Sequence, residues 1–222
     1  MRIEETKVPN AFRLFPEQFP DQRGRFHEAF RADALSDLIG YPFVVNQVNY
    51  STSRRDTVRG IHGTTLPPGQ AKLVTCVRGA VMDVVVDLRV GSPTFGVFDV
   101  TYQDEDSGTA VYLADGLGHA FHALTDDACM NYLCSQNYVP GTMLVLNPMD
   151  PDIGIPWELT GPPIMSEKDA NGVGLKEAES EGLLPTYEEC LAHYAALGAG
   201  AAATRASRPA SPLPDEQRSF CR

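Results

Sequence analysis

From Tyr41 to about Pro156 the chain is a succession of short β-branched and aromatic runs: "FVVNQVNYS", "AKLVTCVRG", "VMDVVVDLRV", "FGVFDVTYQ", "TAVYLAD", "HAFHAL", "CMNYLCSQNYV" and "TMLVLN". Turn clusters such as "LPPGQ", "VGSPTFG", "EDSG" and "DGLG" interrupt them. Many such runs in series argue for a β-sandwich, jelly roll or barrel. The 222 residues can bury a full core, and 43% apolar against 21% charged residues is ordinary globular usage.

The flanks read differently. "FPEQFPDQRGRFHEAF" holds two short strands around the turn "PDQRG". "FRADALSDLIG" spaces Leu35, Leu38 and Ile39 for a helix capped by Gly40. Near the other end, Thr186 and Glu189 fit a capping box, and Cys190, Leu191, Tyr194 and Leu197 follow as one stripe. We expect one domain over 1–197 and a flexible Ala/Pro/Ser-rich tail over 198–222.

Charge narrows the partners. A net −11 excludes a general basic surface for nucleic acid, so an anionic ligand would need a local cluster of Arg and Lys. The charged start "MRIEETKVPN" is no signal peptide, and no apolar run is long enough to span a bilayer. The five cysteines (Cys76, Cys129, Cys134, Cys190, Cys221) are odd in number and form no CxxC, which fits free thiols in a reducing compartment. The expectation is a cytoplasmic protein with no membrane partner.

One stretch, "VRGIHGTTLPPGQAKLVTC", sets an arginine, a histidine and a lysine around a turn. If it is a hairpin centred on Pro67, His62 lies opposite Lys72 on the same face. Arg59 then falls on the other face, and joining the three needs a bend, which Gly60 can supply.

"FPDQRGRFHEAF", "NQVNYSTSRRDTVRGIH", "PPGQAKLVTCVRGAVMDVVVDLRVGSPTFG", "GHAFHAL", "YLCSQNYVP", "NPMDPDIGIPWEL" and "SEKD" occur in that order. Together, from about Phe12 to Leu191, they resemble the dTDP-4-dehydrorhamnose 3,5-epimerase family, which includes deoxysugar epimerases of antibiotic pathways. The resemblance implies an all-β, cupin-like jelly roll with short flanking helices. It also implies a homodimer, no metal or organic cofactor, and a dTDP-linked 4-keto-6-deoxyhexose as substrate. The ketone acidifies both neighbouring ring carbons. A base removes a proton from one, an acid returns it from the other face, and a cation steadies the enolate oxygen.

By the same resemblance His62 is the base, Asp169 orients it, Tyr132 is the acid and Lys72 faces the enolate. Tyr138, six residues after Tyr132, points inward with it on a strand and stacks on thymine. Arg23, Arg59, Lys72 and Lys168 match anion-binding positions, and Gln47 and Asn49 match substrate contacts on one strand face. Glu28 matches a thymidine contact and His119 a polar pocket contact. Arg25 and Arg54 read as solvated surface.

Three departures from the pattern stand out. Gly63 occupies a position usually aromatic and should leave room beside the base. Met143 stands where a Glu often contacts the nucleotide, and the chain after about Gly198 has no family counterpart. Whether C-3, C-5 or both invert is open at this stage. Two other classes remain. A metal-dependent cupin (an oxygenase or isomerase) needs a His-x-His pair and a Glu, but "HAFH" spaces His119 and His122 three apart, which would split them across a strand. A non-catalytic sugar-nucleotide binding module could dispense with His62, Tyr132 or Asp169, yet all three are present.

Overall fold

A computed structural model describes the chain over residues 1–207. The N-terminal part carries β1 (Arg2–Glu5), β2 (Ala11–Phe15), β3 (Gln18–Asp21), β4 (Gly24–His27) and α1 (Ala32–Ile39). The strand-rich middle follows as β5 (Gln47–Ser53), β6 (Val58–Thr64), β7 (Lys72–Arg78), β8 (Ala80–Asp87), β9 (Phe98–Asp104), β10 (Ala110–Leu113), β11 (Leu117–Ala123), β12 (Ala128–Cys134) and β13 (Met143–Val145). Three helices close the described chain: α2 (Glu167–Ala170), α3 (Leu175–Ser180) and α4 (Tyr187–Ser207). None of the described helices is long and apolar enough to cross a membrane.

Two antiparallel sheets form the jelly roll, one of six strands in the order β1-β2-β10-β7-β12-β5 and one of five in the order β13-β6-β11-β8-β9. The gap between them holds Val74, Cys76 and Met130 of the first sheet against Val81, Val85, Leu117 and Phe121 of the second. A second core lies on the outer face of the five-stranded sheet. There Met82, Val84, Val86 and Ala120 meet Leu146, Ile153, Ile155, Leu175 and Leu184 from the C-terminal third. Being covered on both faces, β8 has to be apolar at odd and even positions alike, which is why it reads "AVMDVVVD" without alternation.

Local signals in the flanks hold. Gly40 ends α1 at φ 84° in the left-handed region, and its N–H donates to the Ser36 carbonyl. Thr186 and Glu189 form the reciprocal capping box, the Thr186 N–H donating to Glu189 Oε2 at 2.9 Å and the Glu189 N–H to Thr186 Oγ1 at 3.2 Å. On α4 only Cys190 and Tyr194 of the expected stripe are buried; Leu191 and Leu197 face outward. The helix continues ten residues past the boundary expected after 197, because its Ala-rich run favours helix. The remainder of the expected tail, 208–222, lies outside the described residues.

The expected hairpin is not one. β6 belongs to the five-stranded sheet and β7 to the six-stranded sheet, so the turn at 65–71 is a crossover between layers. His62 pairs in register with His119 and Val145, while Lys72 pairs with Leu113 and Cys134. The two side chains stand on different walls rather than side by side on one. Seven residues with two adjacent prolines between the strands give the chain the reach to change sheets, which a two-residue hairpin turn lacks.

The N-terminal segment, the end of β8 and α4 are tied by one guanidinium. Arg89 is fully buried, its Nε and Nη2 each donating at 2.8 Å to the Asp87 carboxylate. Its Nη1 donates to Asn10 Oδ1 at 2.8 Å, its Nη2 also to the Pro9 carbonyl at 3.0 Å, and the Tyr187 ring lies 5.0 Å from its centre. Removing one member of such a pair strands the other in the interior. Arg89→Leu should therefore lower the unfolding free energy by about 3–5 kcal/mol in urea titrations; a loss well under 1 kcal/mol would show that water reaches this arginine.

Candidate active site

β6 has to carry two cleft residues an odd number of positions apart, and Gly60 makes that possible. Opposite it, β11 advances two residues (His119 to Phe121) while β6 advances three (His62 to Arg59), a β-bulge at the glycine. Gly60 has φ 110°, and a Cβ there would stand 2.5 Å from the His119 carbonyl oxygen and 2.8 Å from Ala120. Only glycine fits both demands. The bend inferred from spacing is thus real, and Arg59 and His62 line one cleft of about 450 Å³.

His62 is held from outside its own sheet. Asp169 Oδ1 accepts from the His62 ring Nε2 at 2.7 Å, and the carboxylate is 6% exposed against 31% for the imidazole. The aspartate sits on α2, whose N-cap Ser166 accepts the Asp169 N–H at 3.0 Å. The segment bearing α2 is fixed at both ends, by a bridge of Ile164 to Thr57 and another of Val173 to Leu146. Burial by itself would raise the Asp169 carboxyl; the hydrogen bond and charge of His62, with the Gly60 N–H, outweigh it and hold the group below its ordinary 3.8.

The opposite wall is built by β7 and β12. Cys134 pairs with Lys72 and Tyr132 with Val74, so Lys72 and Tyr132 share one face of the six-stranded sheet. The Tyr132 hydroxyl lies 3.1 Å from Ser51 Oγ, and its ring meets the His119 ring edge-on at 5.8 Å. His119, the register partner of His62, is buried and its Nε2 lies 2.5 Å from Asp83 Oδ2. Phenol and imidazole therefore rise from opposing sheets with His119 between them. Burial pushes the Tyr132 phenol well above its usual range and draws the Lys72 ammonium below its own.

A smaller cavity of about 30 Å³ adjoins the first and shares His62 and Met143 with it; its lining also includes Lys72, Gln70 and Tyr138. Tyr138 does not lie on the strand of Tyr132. β12 ends at Cys134, and the tyrosine sits on the loop beyond, its N–H donating to Gln47 Oε1 at 2.7 Å. Gln47 in turn donates to Asn49 Oδ1 at 2.9 Å, so these two do share a face of β5. Lys168 lines the large cleft with its Nζ 3.2 Å from Met143 Sδ.

Not every expected residue gathers here. Arg23 and Glu28 lie at the β3–β4 hairpin, exposed, with Arg23 bound to Asp21. His119 and Tyr132 are not among the residues lining these two cavities. Arg54, expected on solvated surface, is exposed, and it also lines the large cleft. The direction a side chain would take from Gly63 is occupied by Leu88 at 3.3 Å and Leu144 at 3.7 Å, so the expected room beside the base is filled. Sequence reasoning misses Asp83 and Ser51, partners of His119 and Tyr132; an acid in the middle of the apolar run "VMDVVV" is the available signal for the first. His119 and His122 fall on opposite faces of β11, the latter against Asp56 and Trp157. Among the described residues no cluster of three or more His, Cys, Asp or Glu is placed to hold a metal ion.

A family model described as dTDP-4-dehydrorhamnose 3,5-epimerase matches residues 5–177. The chain belongs to the dTDP-4-dehydrorhamnose 3,5-epimerase family. It is 50% identical over 179 residues (81% of this chain, 89% of the relative) to a dTDP-4-dehydrorhamnose 3,5-epimerase of Streptomyces griseus. Among solved structures it is similar to NovW, a 4-keto-6-deoxy sugar epimerase from the novobiocin gene cluster of Streptomyces spheroides. That match has TM-score 0.83 and 47% identity, covering 86% of this chain and 95% of that one. It is also similar to ChmJ, a 3'-monoepimerase from Streptomyces bikiniensis solved with dTDP-quinovose, at TM-score 0.84 and 47% identity over 87% and 98% of the two chains. Family membership fits the jelly roll and disfavours the metal-cupin and binding-module readings.

The depressed Asp169 makes a signed pH prediction. A carboxylate held below its unfolded value stabilises the fold fully above that value, and the contribution fades as pH falls through the folded one. The stability gap between parent and Asp169→Asn should thus be largest near neutrality and shrink as the pH falls below the ordinary carboxylate value of 3.8. A gap that stays constant across that range in denaturant titrations would mean the carboxylate is not specially stabilised in the fold.

Proposed function

We propose that the cleft binds a dTDP-linked 4-keto-6-deoxyhexose and inverts C-3, C-5 or both, with His62 as base and Tyr132 as acid. The observation carrying this is the opposition of the two groups: an imidazole clamped by a buried carboxylate on one sheet, a phenol on the other. His62 takes the proton from a carbon next to the ketone. The C–H electron pair becomes the enolate double bond, and the carbonyl pair moves onto oxygen. Asp169 stabilises the resulting imidazolium. Lys72, buried on the wall opposite His62, supplies positive charge for the enolate oxygen. Tyr132 then donates its proton to the far face of the same carbon, which inverts it. The cycle closes when the imidazolium proton returns to the phenolate through solvent.

The raised Tyr132 phenol suits this role, since it stays protonated until it is needed. Arg54, Arg59 and Lys168 put three cations around the large cleft of an acidic protein, a local match for a diphosphate. Tyr138, half exposed beside the smaller cavity, offers a ring for thymine. Assembly as a homodimer is supported by apolar side chains left exposed on the surface. Phe19 and Phe26 are exposed on the β3–β4 hairpin, as are Val48 and Tyr50 on the edge strand β5. In such a dimer Arg23 and Glu28 would serve the partner's site, since they stand away from the cleft of their own chain. The buried free thiols of Cys76, Cys134 and Cys190 suit a reducing cytoplasm. The resemblance to NovW supports a place in antibiotic deoxysugar supply.

Incubation with dTDP-4-keto-6-deoxyglucose in heavy water, followed by NMR, should show deuterium entering C-3, C-5 or both. His62→Ala should abolish exchange while retaining dTDP binding; exchange at the parent rate in that variant would refute the base. Tyr132→Phe should reduce inversion by about 10²-fold or more while leaving some exchange. Inversion at the parent rate would place the acid elsewhere.

A further inference from the structure

Asp56 precedes β6 by two residues and takes φ 61°, a left-handed conformation that glycine adopts freely and most side chains resist. Its side chain is tied three times. Oδ1 accepts the Thr160 N–H at 3.0 Å and lies 3.2 Å from His122 Nε2, and Oδ2 accepts the Thr160 hydroxyl at 2.5 Å. The Thr160 bonds, the hydroxyl first, hold the Asp56 carboxyl below its ordinary 3.8, so it stays ionised as an acceptor. His122 is 1% exposed, and its other ring nitrogen, Nδ1, is buried without a partner. Asp56 is thus the one hydrogen-bond partner of that imidazole, which stands behind the carboxylate from the outer face of β11.

The same strip of chain also holds Ile164. The Ile164 N–H donates to the Asp56 carbonyl at 2.8 Å, and the Val58 N–H donates to the Ile164 carbonyl at 3.0 Å. Residues 160–164, "TGPPI", are therefore fastened at both ends, and two adjacent prolines fix the backbone between. Two residues beyond Ile164 comes Ser166, the N-cap of α2, and then Asp169. A helix of four residues cannot hold itself in place, so α2 takes its position from its attachments. Asp56 provides the upstream attachment and also leads directly into the strand that bears His62. The base and the carboxylate beside it are thereby referenced to one short piece of backbone.

We infer that Asp56, backed by His122 and joined to Thr160, is a positioning residue that sets Asp169 against His62. It touches neither reacting group. It fixes the arm on which the carboxylate rides, where an error of an ångström would weaken a contact 2.7 Å long.

This inference rests on the roles proposed for His62 and Asp169, and the test separates the two. Deuterium exchange into dTDP-4-keto-6-deoxyglucose is followed for kcat and KM, with dTDP affinity measured alongside. The variants are Thr160→Val, Asp56→Asn and Asp56→Gly, and Thr160→Val is made again in an Asp169→Asn background. Thr160→Val should lower kcat by about threefold or more, with KM and dTDP affinity little changed. In the Asp169→Asn background the same substitution should change kcat by less than about 1.5-fold, because the group it positions is already gone. Asp56→Asn keeps an acceptor for Thr160 and should retain more kcat than Asp56→Gly. A purely conformational role would give the reverse order, since glycine suits the left-handed backbone better. Thr160 is exposed, so its variant decides if Asp56→Gly does not fold. Exchange at the parent rate in Asp169→Asn would defeat the role of Asp169 and the positioning role together. With Asp169→Asn impaired, a parent-like kcat in Thr160→Val, or an equal loss in both backgrounds, overturns the positioning role alone.

Discussion

The close approach of Gly60 to β11 is the contact on which the site depends. Without a side chain at that position the β6 backbone sits against the His119 carbonyl, gains one residue over its neighbour and turns Arg59 into the same cleft as His62. A regular strand would have sent the two to opposite faces. The Gly60 N–H also points toward Asp169 Oδ2, at 3.5 Å, so the bulge helps seat the carboxylate that holds the His62 ring.

Polar groups between two packed sheets are tolerated only when each finds a partner. Here they come in pairs: His62 with Asp169, His119 with Asp83, Tyr132 with Ser51. One Asp83 oxygen, Oδ1, has no protein partner, which marks the His119 pair as the less complete of the two dyads. The pairs belong to different layers, and the jelly roll brings them face to face. Chemistry that needs a proton removed on one side and delivered on the other requires such an arrangement, because groups on one strand face cannot reach both sides of a sugar ring.

The five-stranded sheet is covered twice, and both covers bear on function. On its inner face it carries His62 and His119. On its outer face the C-terminal third packs down and carries α2, so the apolar contacts of Leu146, Ile153 and Leu175 also locate Asp169. Gly172 contributes through tightness: a Cβ there would stand 2.6 Å from the Leu146 carbonyl carbon. Farther along, α4 is tied to the buried Arg89 through Tyr187 and to Asp115 through His193 and Tyr194.

The strand pattern, the capping box at Thr186, the C-cap at Gly40 and the bend at Gly60 were legible in the sequence because each is a local demand of the backbone. The ordered motifs also named the family. What the sequence did not determine was the partnership across layers. His62 and Lys72 read as neighbours on a hairpin yet stand on different sheets, and Tyr138 read as a strand residue yet sits on a loop. Asp83 went unnoticed beside His119. The physical reason is common to all of these. Alternation along a strand records which face a side chain takes, but only the packing of one sheet on another decides what that face meets.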